Sequence, residues 1–104
     1  MLDTTKNALI TLDAKVYHYT AQPQSKPPYI VYAEDSYIDL IADGIHTEHA
    51  VQGSVDLFTA DEGDPLIGSI PQALEIAGVS YYLNSVQYED ETGLIHYEWI
   101  ITEV

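Results

Sequence analysis

The chain has 104 residues, in which 17 aspartates and glutamates stand against three lysines and no arginine, so its formal net charge is −14. A protein that holds nucleic acid or an anionic membrane by charge needs a surface rich in cations, and this balance excludes both kinds of binding. Apolar residues make up 46% of the chain, which excludes an acidic disordered tail. The lack of cysteine excludes disulfide bonds and thiolate metal sites.

We expect a single domain over residues 1–104, because this length supports one hydrophobic core. The first residues do not have the pattern of a secretory leader, and no apolar run reaches the length of a membrane span. The sequence therefore predicts a soluble protein that is not secreted by a signal peptide.

Residues 1–42 are predicted to form a helix, a short β-rich run, a loop and two strands. Apolar residues at helical spacing predict an amphipathic helix over 2–14, followed by a short β-rich run at 16–20. Residues 21–28 contain three prolines, which remove ladder donors, so this segment is predicted to be an exposed loop. Strands are predicted at 29–32 and 37–42.

A long central strand is predicted after a tight turn. Asp43-Gly44 is a hairpin signal, because the turn needs a positive φ that glycine adopts at no steric cost. Residues 45–60 then alternate between apolar and polar side chains, as expected of a half-buried antiparallel strand. Gly53, in its middle, indicates a bulge or bend.

A second helix is predicted over about 64–77. Asp64 is suited to cap it, Pro65 fits the first helical position, and Gly78 is a natural stop. Pro71 conflicts with an undisturbed helix. Either the helix kinks at Pro71, which we favour, or residues 65–69 form a separate turn.

The last elements predicted are the strands 79–88 and 94–103, joined by a five-residue loop into a C-terminal β-hairpin. The expected register pairs Leu83 with Trp99 and Tyr81 with Ile101 against a helix, and Val86 with His96 and Asn84 with Glu98 on a polar face. The predicted fold class is therefore α+β, with a mostly antiparallel sheet and both helices on one face.

The sequence carries no motif of catalysis or of cofactor binding. His46 and His49 invite a metal hypothesis, but residues three apart on a strand point to opposite faces, which favours two surface histidines. His96 is predicted to be solvated beside Glu98, and His18 has no evident partner. The acidic clusters do not have the spacing of a calcium loop. We therefore expect no metal, no cofactor and no enzymatic activity, although weak divalent binding at a subunit junction stays open.

The order of elements and one local motif carry a resemblance. A proline-rich loop leads into Pro-Pro-Tyr-Ile-Val-Tyr at 27–32, and the long strand contains His-Ala-Val-Gln-Gly-Ser-Val-Asp-Leu-Phe at 49–58. A capped helix and a terminal hairpin follow. Over nearly its whole length the chain resembles the tail-completion, or tail-terminator, proteins of long-tailed bacteriophages and prophages. Neck and minor tail proteins share much of this pattern.

The resemblance implies a structural virion protein, found in the phage tail or in the host cytoplasm during assembly. It implies a homo-oligomer, a hexameric ring, that contacts the tail tube and neck proteins and through which DNA passes without being bound. Because nine tyrosines exceed what one small core holds, and because the loop and strand edges are exposed, we also expect an oligomer or partner interface. Its predicted residues are Lys26, Pro27, Pro28, Tyr29, Tyr32, Asp43, Gly44 and Tyr88.

Two other functions are compatible with the sequence. The charge of −14 also suits an acidic inhibitor that mimics DNA and occupies the basic cleft of a nucleic-acid-binding enzyme. A small α+β enzyme would need an apolar pocket that holds a perturbed Asp or His. We rank the tail protein first, the DNA mimic second and the enzyme third.

Overall fold

Five strands form one sheet in the order β1-β2-β3-β5-β4, in which β1 runs parallel to β2 and all other neighbours are antiparallel. The computed structural model describes the backbone of residues 1–42 and 45–104, and the side chains of residues 1–37 and 49–104. The elements are α1 (Asp3–Leu9), β1 (Lys15–His18), β2 (Tyr29–Ala42), β3 (Ile45–Thr59), α2 (Leu66–Ile76), β4 (Ser80–Glu89) and β5 (Leu94–Glu103). The predicted α+β class, with its mostly antiparallel sheet and terminal hairpin, is confirmed.

Both helices pack on the same face of the sheet, and the core lies between them. Alternate residues of each central strand point to this face, which follows from the two-residue period of a strand. The buried cluster includes Leu2, which precedes α1, and Leu9 at the end of α1. It also includes Leu66, Ile70 and Leu74 from α2, and Ile30, Val55, Leu57, Trp99 and Ile101 from the strands.

The first helix is shorter than predicted, because α1 ends at Leu9 rather than near residue 14. Thr11 donates a hydrogen bond from its hydroxyl to the carbonyl of Ala8, and the amide of Leu12 bonds to the carbonyl of Leu9. Short polar side chains offer the backbone such alternatives to helix, which explains the early end despite the apolar spacing.

The two strands predicted at 29–32 and 37–42 are one continuous strand, β2. Its register against β3 shifts between Glu34 and Ser36, opposite Gly53 and Gln52. The irregularity predicted near Gly53 is therefore on the partner strand. A Cβ at position 53 would overlap the carbonyl oxygen of Ala33 and lie 2.8 Å from Cδ1 of Leu2, so only glycine fits there.

The second helix spans Leu66–Ile76 without interruption, so residues 65–69 are not a separate turn. Pro71 lies inside it. Asp64 caps the helix as predicted, because its Oδ1 accepts the backbone N–H of Leu66 at 2.9 Å and its Oδ2 accepts the hydroxyl of Thr59 at 2.6 Å.

The closing hairpin has the predicted register only in the half that lies farther from its connecting loop. Tyr81 pairs with Ile101 and Leu83 with Trp99, but a shift between Leu83 and Ser85 then pairs Ser85 with Glu98. Beyond that shift Val86 faces Tyr97 instead of His96, and the connecting loop has four residues, 90–93, instead of five. Asn84 still reaches Glu98, since its Nδ2 donates to Oε1 at 2.7 Å.

The hairpin formed by β2 and β3 projects from the rest of the molecule. Pairing between β3 and β5 begins at Val51, so the backbone of residues 36–42 and 45–50 is paired only within this hairpin. We call this segment the arm. It contributes to the elongated dimensions of 50 × 24 × 21 Å. The turn predicted at Asp43-Gly44 lies outside the described residues.

Candidate interaction surfaces

The proline-rich loop at 21–28 connects β1 to β2. Lys26, Pro27 and Pro28 are exposed, as expected of residues available to a partner. The loop folds back toward the sheet, because the hydroxyl of Ser25 donates to the hydroxyl of Tyr17 at 3.3 Å. Part of the loop is therefore held in place by the chain itself.

Tyr32, another predicted interface residue, belongs to the core. It lies on the helix face of β2 with only 7% of its surface exposed. Its ring stacks on the imidazole of His18 at a centroid distance of 4.5 Å. Nε2 of His18 in turn lies 2.6 Å from Oε1 of Glu34, so His18 has a partner that the sequence did not reveal.

Tyr88, another predicted interface residue, is 65% exposed on β4, the edge strand of the sheet. Leu83 and Val86 lie on the same face of β4 and are about half exposed. We call Leu83, Val86 and Tyr88 the β4 stripe. Their partners on β5 are Trp99, Tyr97 and Ile95, so the stripe continues the helix-covered face beyond the reach of the helices. Leu83, predicted to pack against a helix, is therefore on the expected face but uncovered.

A second free edge lies at the other end of the sheet. The short strand β1 pairs only with residues 29–32 of β2, whereas β2 continues to Ala42. In the described part of the chain, no strand pairs with residues 33–42 on the side away from β3. The sheet thus has two edges with unpaired backbone groups, and both are ten residues long.

The sheet face opposite the helices carries a row of aromatic rings, and we call it the open face. Tyr29 pairs in register with Phe58, and Phe58 with His96. Their rings stack, with centroid distances of 5.0 Å between Tyr29 and Phe58 and 4.2 Å between Phe58 and His96. Tyr17 meets Tyr29 edge to face at 6.1 Å.

An ion pair lies beside this row. Nε2 of His96 is 2.6 Å from Oδ1 of Asp56, and the hydroxyl of Ser54 donates to Oδ2 of the same carboxylate at 3.3 Å. The hydrogen bond to Asp56 raises the pKa of His96 above its usual 6.5, burial opposes this rise, and the negative charges of Asp56, Glu89 and Glu98 add to it. His96 was predicted to be solvated, but its side chain is only 21% exposed.

A cavity of about 460 Å³ opens on this face. Its floor is formed by Tyr29, Val31, Asp56, Phe58 and His96, and the segment 19–22 lies over it. Tyr19 has a φ of 70°, a left-handed conformation that is uncommon for an aromatic residue. This turn directs the chain from β1 over the open face.

The pair Asp56–His96 is the feature that the sequence analysis missed. The two residues are 40 positions apart on strands that are not consecutive in the chain. Only the strand order, with β3 beside β5, brings them together. The alternation of β3 did place Asp56 on the polar face, which was the one available signal.

Comparison with the models of known protein families gave no match, and comparison with curated proteins gave none either. Among the side chains that the structure describes, no three acidic or histidine groups are clustered in a way that would hold a metal ion. None of the helices formed by the described residues has the length and apolar character needed to cross a membrane.

Proposed function

We propose that the protein is a structural subunit of a bacteriophage or prophage tail, and that its copies join into a ring at the head-proximal end of the tail tube. The observation that carries this proposal is the pair of free edges at opposite ends of one sheet, β4 and the outer half of β2. A ring needs two different surfaces on each subunit that fit each other, and two distinct edges meet that condition.

The edges are suited to pair with each other. An unpaired strand offers a row of N–H and C=O groups to another strand, and proteins that stay monomeric usually protect such edges with lysine or proline. The edge strand β4 contains neither residue, and it adds an apolar stripe instead. The outer part of β2, residues 33–42, is as long as β4, so one continuous ladder of roughly 33 Å is geometrically available.

The net charge supports the second part of the proposal, that DNA passes through the ring without sticking. A subunit with a charge of −14 repels phosphates that come within a Debye length, roughly 8 Å at physiological salt. The resemblance of the sequence to tail-terminator proteins implies six subunits, contact with the tube and neck proteins, and location in the virion. These points are part of the proposal.

The test is the oligomeric state of the protein and of one double variant, measured by size-exclusion chromatography with light scattering. We expect rings for the wild type, and monomers when Leu83→Lys and Val86→Lys place two charges on the edge. Tyr82→Lys is the matched control, because Tyr82 is 57% exposed on the same strand but points to the open face. A wild-type protein that stays monomeric at millimolar concentration, with or without isolated tail tubes, would overturn the proposal.

A further inference from the structure

We propose that neighbouring copies of the chain join through one defined antiparallel ladder, in which β4 of one copy pairs with residues 33–42 of the next and Val86 lies opposite Tyr37. The ladder rests on the proposed function in one respect, that copies associate through the free edges of the sheet. Its direction, its register and the side chains that meet in it come from separate features of the fold.

The strand order fixes the direction of the ladder. Three antiparallel contacts lead from β2 through β3 and β5 to β4, so β4 runs opposite to β2 in every copy. A ring turns the same face of each sheet towards its axis, and therefore the helices of neighbouring copies lie on the same side of a shared sheet. Under that condition β4 meets the next β2 with the two strands antiparallel, which is the more stable pairing.

The strand β1 limits the register. It pairs with β2 as far as Tyr32, whose carbonyl oxygen also accepts the backbone N–H of Tyr19 at 2.8 Å. The free part of β2 therefore begins after Tyr32. In an antiparallel ladder this point faces the last residues of β4, so the hairpin loop of one copy lies next to the end of β1 of the other.

The faces of the strands then determine which side chains are partners. Tyr37 pairs with the core residue Val51, so it lies on the helix face of β2. Val86 and Tyr88 lie on the same face of β4. The register shift that follows Glu34 adds one residue to β2. A ladder that starts with Glu34 opposite Tyr88 therefore places Tyr37 opposite Val86.

Both strands have exposed apolar side chains where they would meet. Tyr37 and Met1 are each 67% exposed, and the hydroxyl of Tyr37 donates to Sδ of Met1 at 3.4 Å. These two residues form an apolar patch beside the free edge of β2, on the same face of the sheet as the β4 stripe. The ladder covers Val86 and Tyr88 with this patch, so burial of apolar surface adds to the backbone hydrogen bonds.

The distribution of charge favours this ladder over a symmetric pairing of two β4 strands. The exposed Lys6 lines a cavity with His18 and Glu34 at the end of β1, and it forms no ion pair within the described part of the chain. The ladder brings the acidic residues 89–91 of the neighbouring copy to this lysine. Two β4 strands paired about a two-fold axis would offer those residues no cation, since α2, β4 and β5 contain no lysine. An exposed ion pair adds little affinity, but it distinguishes one orientation from another.

The chain contains no cysteine, so cysteines introduced in pairs report which residues of neighbouring copies meet. The experiment oxidises the double variant Tyr37→Cys, Val86→Cys and resolves the products on a non-reducing gel. Opposite residues of an antiparallel ladder have Cα atoms about 4.5–5.5 Å apart, within the range of a disulfide. In one copy, β3 and β5 separate the two positions by roughly 14 Å, which excludes a bridge within the chain.

We expect the double variant to give a series of covalent oligomers, because each copy contributes one cysteine to each of two junctions. A mixture of the two single variants should give covalent dimers, and neither single variant should crosslink by itself. The matched control combines Tyr37→Cys with Tyr82→Cys, since Tyr82 lies on β4 but points to the open face, and it should lose the series.

Light scattering after size-exclusion chromatography of the reduced samples and of the wild type shows separately whether rings form. Rings without a crosslink between positions 37 and 86 would overturn the ladder and leave the ring in place. Covalent dimers of Val86→Cys alone would overturn the ladder in favour of two paired β4 strands. A wild type that does not assemble would overturn the proposed function together with the ladder.

Discussion

His96 and Asp56 form an ion pair that the fold makes from two distant strands. The two side chains are mostly buried, and the imidazole is held between the Asp56 carboxylate and the ring of Phe58. A cation stacked on an aromatic ring and bonded to a carboxylate is stabilised in its charged form. Protonation of this one residue is therefore coupled to folding.

The direction of the pH effect follows from the pKa. His96 has a pKa in the folded chain above its usual 6.5, chiefly because of the hydrogen bond to Asp56. Its contribution to stability is complete below the unfolded value and is lost as the pH rises through the folded value. We expect the free energy of unfolding, measured with urea, to fall across this range.

His96→Gln should remove the His96 contribution to the slope of the free energy of unfolding against pH. His18→Gln, at a second histidine–carboxylate pair, should leave that contribution in place. NMR titration of the imidazole gives the folded pKa directly. An unchanged slope in His96→Gln would contradict the assignment.

Gly53 allows three parts of the chain to approach closely. A methyl group there would overlap the Ala33 carbonyl oxygen and the buried side chain of Leu2, and the Ala33 oxygen belongs to the backbone of β2. We expect Gly53→Ala to lower the free energy of unfolding by about 3 kcal/mol or more. Chemical denaturation of purified protein measures this change.

Gly68 supplies the matched control for this substitution. It lies in α2, and a Cβ at that position would meet nothing within 4 Å. Gly68→Ala should therefore stabilise the protein by about 0.5–1 kcal/mol, because alanine favours helix. Similar effects of the two substitutions would show that Gly53 is not under steric constraint.

At the level of the elements, α1 is held by a residue far away in the sequence. The helix has no side-chain cap of its own. Instead the Glu103 carboxylate accepts the backbone N–H groups of Thr4 at 3.1 Å and Thr5 at 2.8 Å, and also the hydroxyl of Thr5. A negative charge at a helix N-terminus also interacts favourably with the helix dipole.

Glu103→Ala should remove this cap and lower the free energy of unfolding by about 1–2 kcal/mol. Glu103→Gln keeps one oxygen acceptor, so its free energy of unfolding should lie between those of the wild type and Glu103→Ala. Glu91→Ala, a change of the same kind in an exposed loop, should have almost no effect. Amide hydrogen exchange of residues 4–9 provides a second measurement, and unaltered protection in Glu103→Ala would contradict the role of the carboxylate.

The types of elements were predictable from the sequence, but several of their boundaries were not. Alternation along β3 and the Asp64-Pro65 start of α2 are local signals, and both were interpreted correctly. The shift at Leu83/Ser85 absorbs one residue of the closing hairpin, and no local pattern distinguishes that from a longer loop. The strand order is a tertiary property.

The candidate surfaces also divide into features with a local sequence signal and features that depend on the tertiary structure. Exposed Tyr88 and the proline-rich loop follow from excess tyrosine and from proline chemistry. The burial of Tyr32 was not predictable in this way, because a strand residue next to an exposed loop can still point to the core. The pair Asp56–His96 required knowledge of which strands are neighbours.

At the scale of the whole molecule, the net charge determines how association depends on salt. Copies with a charge of −14 repel one another, so any ring has to form against that repulsion. A complex with a basic partner is held together by attraction between opposite charges, so salt weakens it, whereas salt strengthens the association of like-charged copies. Salt dependence therefore separates self-assembly from the alternative of a DNA-mimicking inhibitor.

We expect self-association to strengthen when sodium chloride is raised from about 20 mM to 500 mM, since the Debye length then falls from roughly 20 Å to about 4 Å. Sedimentation velocity at several salt concentrations measures this, with Tyr82→Lys as the control that keeps the β4 stripe intact. Self-association that weakens with salt would contradict the ring, and salt-sensitive capture of a nuclease or polymerase would favour the inhibitor.

The capping of α1 by Glu103 also has a consequence for synthesis on the ribosome. Thr5 and Glu103 are 98 positions apart, so α1 receives this cap only after β5 has been made. Until then Leu2 and Leu9 have no completed sheet to pack on, since β5 supplies Trp99 and Ile101 to the same cluster. The N-terminal segment should therefore dock late in cotranslational folding, after β5 has been made.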